Sequence, residues 1–426
     1  MIKLIKGFKD ILPDESRYWR QVEAFTTEIF AHFGFAELRP PILEKTGLFE
    51  KSIGQGTDIV EKEMYTFADR KGELVTLRPE ATASVVRAYI QHQLYAVNPY
   101  RKLYTIGPMF RRERPQKGRY RQFHQINAEV FGVKEPYIDA QIILLVSTLF
   151  DRLGIHDATV HLNSLGCGQC RPDYKRELSV FLENRQQHLC ADCRQRLERN
   201  PLRVLDCKVP TCREVTDDAP SIAACLCPDC ETHFAAVRSL LDELSVGYEL
   251  DGRLVRGLDY YTRTTFEVQT GLLGAQNAIA GGGRYDDLVK LLGGPDQPAA
   301  GFAIGCERLI ELVRQKAEAT DEPGIDLFIA ALGEESRKKA FSWLSNLQLS
   351  GFSTEMCFEN RGLKSQMKLA DKFNAARTLI IGEAELAAGK VILRDMKTRE
   401  QQELTIGNLP EQLKTALSDK RKDIST

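Results

Sequence analysis

Two runs of strand-forming residues, LYTIGPMF and QFHQINAEVFG, flank the basic part of FRRERPQKGRYRQFHQ, residues 110–125. Pro115 and Gly118 supply turn chemistry between them, so the expected arrangement is strand, loop, strand. Whatever fold the chain adopts has to present that loop. It carries Arg111, Arg112, Arg114, Lys117, Arg119 and Arg121 against a single acid, Glu113. The whole chain holds 58 basic and 59 acidic side chains, a formal charge of -1. Such a balance argues against a general nucleic-acid coating protein, but not against a local site for a polyanion.

The rest of the chain reads as more than one domain. A length of 426 residues exceeds one ordinary core, and 43% hydrophobic with 27% charged residues is the make-up of a soluble globular protein. The apolar stretch from Ile142 to Phe150 is about half of what a membrane span needs. MIKLIKGFKDILPD lacks the apolar core of a signal peptide, so a cytoplasmic protein with reduced cysteines is expected. Trp19, Val22, Phe25, Ile29 and Phe33 recur at helical spacing, predicting a helix from Asp14, as N-cap, to Gly34. FGFAELRPPILE reads as a short strand broken by Pro40 and Pro41, and VRGLDYYTRTTFEVQT as a strand. IAGGGRYDDLVKLLGG and GFAIGCERLIELV each read as strand, turn, helix; their glycines let backbone approach a ligand or another strand. KAEATDEPGID looks like a linker. After it strands alternate with helices, the pattern of a separate α/β domain.

The chain has no GxxxxGK[ST] and no GxGxxG joining a strand to a helix. A nucleoside triphosphate, if bound, is therefore held without a P-loop or a dinucleotide fold. Arginine clamping from a sheet surface is the remaining solution, because a planar guanidinium grips phosphate or carboxylate in two places.

Nine of the eleven cysteines fall between Cys167 and Cys230, in a segment of about 166–245 whose composition marks it as an insertion. Cys167-x2-Cys170, nineteen residues, then Cys190-x2-Cys193 has zinc-ribbon-like spacing. Cys207, Cys212, Cys225, Cys227 and Cys230 are left for a second site. Free buried thiols fit the same residues.

MFRRERPQKGRYRQFHQ, LRPEATASVVRAY, RGLDYYTRTTFE, AGGGRYDDL and GFAIGCERL together resemble the histidyl-tRNA synthetases, a family of class II aminoacyl-tRNA synthetases, from about residue 5 to about 415. RGLDYYTRT is the stretch specific to histidine. The resemblance implies an α+β fold: a class II antiparallel-sheet catalytic domain over 1–322, with 166–245 as its inserted domain, and an α/β anticodon-binding domain over 325–420. It also implies a homodimer whose contact is made largely by Asp14 to Leu48. The implied activity is ATP-dependent attachment of L-histidine to the 3′ end of tRNA(His) through a histidyl-adenylate, with Mg²⁺ accompanying ATP. The other reading is a synthetase-like regulatory subunit of ATP phosphoribosyltransferase, which usually lacks the C-terminal domain and degrades the RGLDYY motif.

The same resemblance implies residue roles. Arg111, Arg256 and Arg308 surround the phosphates, Arg111 and Arg256 at the α-phosphate and Arg308 near the γ-phosphate. Glu113 and Phe123 meet the adenine, and Arg119 the triphosphate. Glu80, Thr82 and Gln125 take the histidine ammonium, while Glu129 and Tyr261, with Tyr260, read the imidazole. Ala81 stands where many members have Gly. The loop is too long and too basic for phosphate clamping alone, so Arg114, Gln116, Lys117 and Arg121 are assigned to the tRNA acceptor end. Arg361, Lys364, Lys368 and Lys372 share one helical face, which fits either an anticodon-stem contact or a solvated charged face.

Overall fold

The computed structural model describes residues 2–116, 118–274, 277–316 and 324–423, the side chains of 419–423 excepted. The chain divides into two compact units, Met1–Ala317 and Glu318–Thr426. The sequence-predicted linker KAEATDEPGID falls mostly outside the described residues.

The first unit is built on an eight-stranded sheet. Its order is Ala36–Glu37, Arg101–Phe110, Gln122–Phe131, Ala299–Gly305, Ala278–Arg284, Thr262–Thr270, Ala158–Ser164 and Tyr248–Leu250. The inner pairings are antiparallel and the outermost pair at each edge is parallel. Strand side chains alternate between faces, and the two faces do different jobs. Ile126, Ala128, Val130, Phe266 and Phe302 point to a core closed by the helices Pro13–His32, Tyr137–Arg152, Pro228–Glu243 and Cys306–Lys316. Gln125, Asn127 and Glu129 take the other face, where the site lies.

Helix Pro13–His32 starts with Pro at its first position rather than with an Asp14 cap, and ends before Gly34 at φ +77°. Arg101–Phe110 and Gln122–Phe131 pair from Arg101–Phe131 to Phe110–Gln122, leaving 111–121 as the connecting loop. The predicted strand in VRGLDYYTRTTFEVQT is shorter than expected: only Thr262–Thr270 is strand, and 256–261 is a turn run along the site. The insertion is helical, with Cys170–Glu183, Ala191–Arg199, Pro210–Asp217 and Pro228–Glu243 as its main helices.

The second unit has a five-stranded sheet ordered Thr354–Met356, Leu327–Ala331, Arg377–Ile381, Lys390–Asp395 and Gln401–Thr405; the first three are parallel. Helices Glu334–Leu349 and Leu409–Asp423 cover one face and Leu363–Lys372 the other. No described helix is long and apolar enough to cross a membrane.

Candidate active site

A cavity of about 280 Å³ opens on the polar face of the large sheet. Eleven of the sequence-predicted residues line it: Glu80, Thr82, Arg111, Glu113, Arg119, Phe123, Gln125, Arg256, Tyr260, Tyr261 and Arg308. Three arginines from segments far apart in the chain therefore share one space.

Local structure explains each position. Arg111 follows the last residue of its strand; its Nε donates to the Pro79 carbonyl at 2.9 Å, and its guanidinium lies 5.4 Å from the Phe123 ring. Glu113 pairs with Arg119 and stands 3.8 Å from Arg111. Arg308, in the first turn of Cys306–Lys316, donates from Nε to Gly118 O at 3.2 Å and from Nη1 to Ala278 O at 2.5 Å. It thereby ties the basic loop to the sheet. Arg256 enters from the turn run after the insertion and pairs with Glu267 on the neighbouring strand.

Glycines make the room. A Cβ at Gly281 would stand 2.6 Å from Cζ and Nη1 of Arg256, and one at Gly301 would stand 2.6 Å from the Tyr285 hydroxyl. Both contacts are far inside van der Waals distance, so the glycine-rich strands are shaped around the side chains that cross them.

Burial makes these charges costly and tunes them. Desolvation holds Arg111, Arg119 and Arg308 below the usual guanidinium range, and neighbouring arginines add to that effect. Burial also opposes the charge on Arg256, but Glu267, the two tyrosines and Asp206 outweigh it and hold its pKa up.

The deep end is a buried polar chain. Glu80 accepts the N–H groups of Thr82 and Ala83, each at 2.8 Å, at the start of helix Thr82–Gln91. Thr82 Oγ1 donates to Glu129 Oε1 at 2.7 Å, Tyr285 donates to the other Glu129 oxygen, and Tyr260 reaches Glu80 at 3.5 Å. Burial pushes Glu129 up to about 8 against these bonds, and raises Tyr260 and Tyr285 well above the ordinary phenol. Neutral phenols that donate, facing carboxyl groups with lone pairs to spare, suit a small polar ligand with one donor and one acceptor. Gln125 Oε1, Asn127 Oδ1 and Arg256 Nε are buried at this cavity with no protein hydrogen-bond partner, the mark of groups satisfied by a ligand or water.

The family model for histidyl-tRNA synthetase matches residues 7–309, and that for an anticodon binding domain matches 326–416. The chain belongs to the histidyl-tRNA synthetase family. It is 63% identical over 99% of its length to the histidine--tRNA ligase of Desulfosudis oleivorans, covering 100% of that protein. To the histidine--tRNA ligase of Desulforapulum autotrophicum it is 57% identical over 96% of its length and 95% of that one. The crystal structure of apo histidyl-tRNA synthetase from S. aureus superposes with a TM-score of 0.81 at 34% identity, covering 97% of this chain and 100% of that one.

Several expectations drawn from the family pattern need adjustment. Glu129 stands behind the cavity wall, reached through Thr82 and Tyr285, rather than on the surface. Arg121, expected at the tRNA acceptor end, is held by backbone: its Nε donates to Glu113 O at 3.3 Å and its Nη1 to Lys6 O at 3.4 Å, packing it against Gly7. Arg114 and Gln116 are exposed, while Lys117 lies outside the described residues. Ala81 is fully buried at φ -97°, so the position has no need of glycine's conformational freedom. Lys364, Lys368 and Lys372 are exposed on one helix, whereas Arg361 precedes it and pairs with Glu359 at 2.6 Å. The four cysteines expected to share one metal do not meet. Cys167 and Cys170 gather with Cys227 and Cys230, and Cys190 and Cys193 with Cys207 and Cys212, because the insertion folds back on itself twice.

Asn127, Glu267 and Tyr285 line the cavity without having been singled out. Asn127 was readable, since it lies midway between Gln125 and Glu129 on one strand face. Glu267 and Tyr285 sit inside RGLDYYTRTTFE and AGGGRYDDL. Glu267 closes the stretch that its partner Arg256 opens, whereas Tyr285 meets Glu129, which is distant in sequence and gave no local signal.

Proposed function

We propose that the protein attaches L-histidine to the 3′ end of tRNA(His) with ATP, in two steps at this cavity. In the first step a histidine carboxylate oxygen attacks the α-phosphorus of ATP; histidyl-adenylate forms and pyrophosphate leaves. In the second, the 3′-terminal ribose hydroxyl of the tRNA attacks the activated carbonyl and AMP leaves. An anion attacking a polyanion is opposed by charge, so fixed cations at the α-phosphate lower the barrier, each by on the order of 10²–10³ in rate. What carries the reading is the convergence of Arg111, Arg256 and Arg308 on a cavity shared with Glu80, Thr82, Gln125 and Tyr261.

In this reading Arg111 and Arg256 meet the α-phosphate and the histidine carboxylate, and Arg308 the far phosphates. Phe123 stacks on the adenine, Glu113 meets its amino group and Arg119 the triphosphate. Glu80, Thr82 and Gln125 hold the ammonium. Tyr261 reads one imidazole nitrogen, with Tyr260 beside it, and Glu129 acts on the other from behind Thr82 and Tyr285. The cavity fits Mg²⁺ arriving on the nucleotide. Among the described residues only cysteines form a metal-sized cluster, while Glu113 and Glu267 line the cavity as single carboxylates. One or two carboxylates plus phosphate oxygens are the usual Mg²⁺ shell, and the ion supplies neutralisation of phosphate charge.

Arg114 and Gln116, with Lys117, contact the acceptor end, and the second unit binds the anticodon. The protein acts as a homodimer in the cytoplasm. Supporting the dimer, Ile42, Leu43, Phe67 and Leu74 are all more than 40% exposed in and beside the small sheet Leu43–Lys45, Leu74–Leu77 and Tyr65–Ala68. Such a patch marks an interaction surface.

The test is histidine-dependent ATP–pyrophosphate exchange. Arg256→His is expected to lower exchange by about 10²-fold or more while leaving tRNA binding unchanged. Exchange at the wild-type rate in that variant refutes the role, and absence of exchange by the native protein leaves the regulatory-subunit reading.

A further inference from the structure

We propose that the insertion holds two separate tetrathiolate zinc sites, and that the inner one braces the turn run carrying Arg256, Tyr260 and Tyr261. Cys167, Cys170, Cys227 and Cys230 form the outer group; Cys190, Cys193, Cys207 and Cys212 form the inner. Within each, the four sulfurs lie within 4.8 Å of one another. The Cys167–Cys170 separation is 3.7 Å, Cys167–Cys227 3.9 Å and Cys190–Cys207 3.9 Å. A disulfide needs about 2.05 Å. Four thiolates placed tetrahedrally at about 2.3 Å from one zinc ion stand about 3.8 Å apart.

The surroundings are those of thiolate ligands. The Cys227 N–H points at Cys170 Sγ at 3.1 Å, the Cys190 N–H at Cys212 Sγ at 3.1 Å, and the Gln169 N–H at Cys167 Sγ at 3.4 Å. Cys170 opens helix Cys170–Glu183, and Cys190 and Cys227 immediately precede Ala191–Arg199 and Pro228–Glu243. Helix N-termini favour negative sulfur. Four-sulfur tetrahedra select zinc or iron, and zinc, which has no redox chemistry, suits a site placed for mechanics.

The two sites are nested, and their positions give them different work. The outer one clips the entry of the insertion to the start of its last helix, beside Gly166, whose carbonyl accepts the Arg263 N–H at 2.8 Å. The inner one closes the thirteen-residue loop between Cys193 and Cys207. That loop touches the catalytic unit at several places: Arg196 to Asp58 at 3.3 Å, Arg199 to Glu61 at 2.7 Å and Asn200 to Asp259 at 3.0 Å. Arg203 lies against Gly257, and Leu197, Val204 and Leu205 share one core with Tyr260 and Tyr261. Asn200 and Arg203 thus hold positions 259 and 257 directly, inside a loop whose ends the metal would fix. The inner site touches no reacting atom; it is a positioning device.

The metal-binding test does not depend on the ligase reading; the test of bracing rests on it. The full-length protein is reduced, stripped of metal and titrated with Co²⁺, then with Zn²⁺. Two ions per chain are expected, with tetrahedral cobalt bands and thiolate charge transfer that zinc abolishes. Cys212→Ser and Cys230→Ser each leave one ion, and Cys225→Ser, outside both groups, leaves two. Fewer than two ions bound by the native sequence, a cobalt spectrum without thiolate charge transfer, or iron in place of zinc in the purified protein overturns the sites. Cys212→Ser is expected to raise KM for histidine about tenfold in exchange while changing kcat less. An unchanged KM with the inner ion lost overturns the bracing.

Discussion

Gly281→Ala tests the catalytic reading through a residue that touches no substrate in it. The added methyl would lie 2.6 Å from Cζ and Nη1 of Arg256. Non-bonded carbon contacts settle at about 3.5–4.0 Å, so the guanidinium has to withdraw by about 1 Å. It has little freedom to do so elsewhere, since Glu267 holds one edge and the Tyr261 ring centre is 5.9 Å away. A misplacement of about 1 Å at a reacting centre costs about 10²-fold, which is about 2.7 kcal/mol on the barrier. The backbone itself has no objection: Gly281 is not in the left-handed region and pairs with Ala303 and Glu267 within the sheet. Exchange is therefore expected to fall about 10²-fold with only a small change in melting temperature. Gly271→Ala, where a methyl meets nothing within 4 Å, is the control and stays near wild type. Gly281→Ala exchange within a few-fold of wild type would refute the claim that this glycine seats Arg256. A large loss of thermal stability would reassign the defect to the sheet.

Two further outcomes are expected. Glu129 keeps its proton in the folded chain to about pH 8, whereas an unfolded glutamate loses it near pH 4.3. Its contribution is thus fully present below about pH 4 and is lost as pH rises through about 8. Glu129→Gln removes up to one proton of that linkage, about 1.4 kcal/mol per pH unit, so its melting temperature should vary less between about pH 5 and pH 8; an unchanged slope counts against a protonated Glu129. Arg114→Ala with Gln116→Ala, both exposed on the loop, should raise KM for tRNA and leave exchange unaltered. Loss of exchange in that variant would place these residues in the first step instead.

Much of this architecture was legible because local pattern and tertiary role agree. LYTIGPMF and QFHQINAEVFG read as strands and pair from Leu103–Glu129 to Phe110–Gln122; Tyr104, Ile126 and Ala128 go to the core, and Phe123, Gln125 and Asn127 of the second strand line the site. Helix Pro13–His32 buries Trp19, Val22 and Ile29 as their spacing required. The reading failed where distant partners decide. Tyr260 and Tyr261 have high strand propensity, yet their rings join the core formed by the insertion, and the backbone turns to deliver them. Arg121 counted as loop charge, but carbonyls of Glu113 and Lys6 claim it. Linear spacing joined Cys170 to Cys190, whereas the fold nests one pair of knuckles inside the other.

The site is demanding because it concentrates like charge in a place that disfavours charge. Arg111, Arg119 and Arg308 are each depressed by burial, and each also by other guanidiniums. Arg111 and Arg119 come from one loop, 111–121, and share Glu113, while Arg308 enters from helix Cys306–Lys316. Backbone carbonyls anchor two of the three: Pro79 for Arg111, Gly118 and Ala278 for Arg308. Arg256 is held differently. It pairs with a carboxylate, Glu267, and its buried Nε has no hydrogen-bond partner among the described residues. Its place is set by what surrounds it: a missing methyl at Gly281 in front and the insertion's grip on Gly257 and Asp259 behind. Its place is thus sensitive to residues that touch no substrate in this reading, which is why a glycine on one strand and a cysteine in the insertion both report on the same guanidinium.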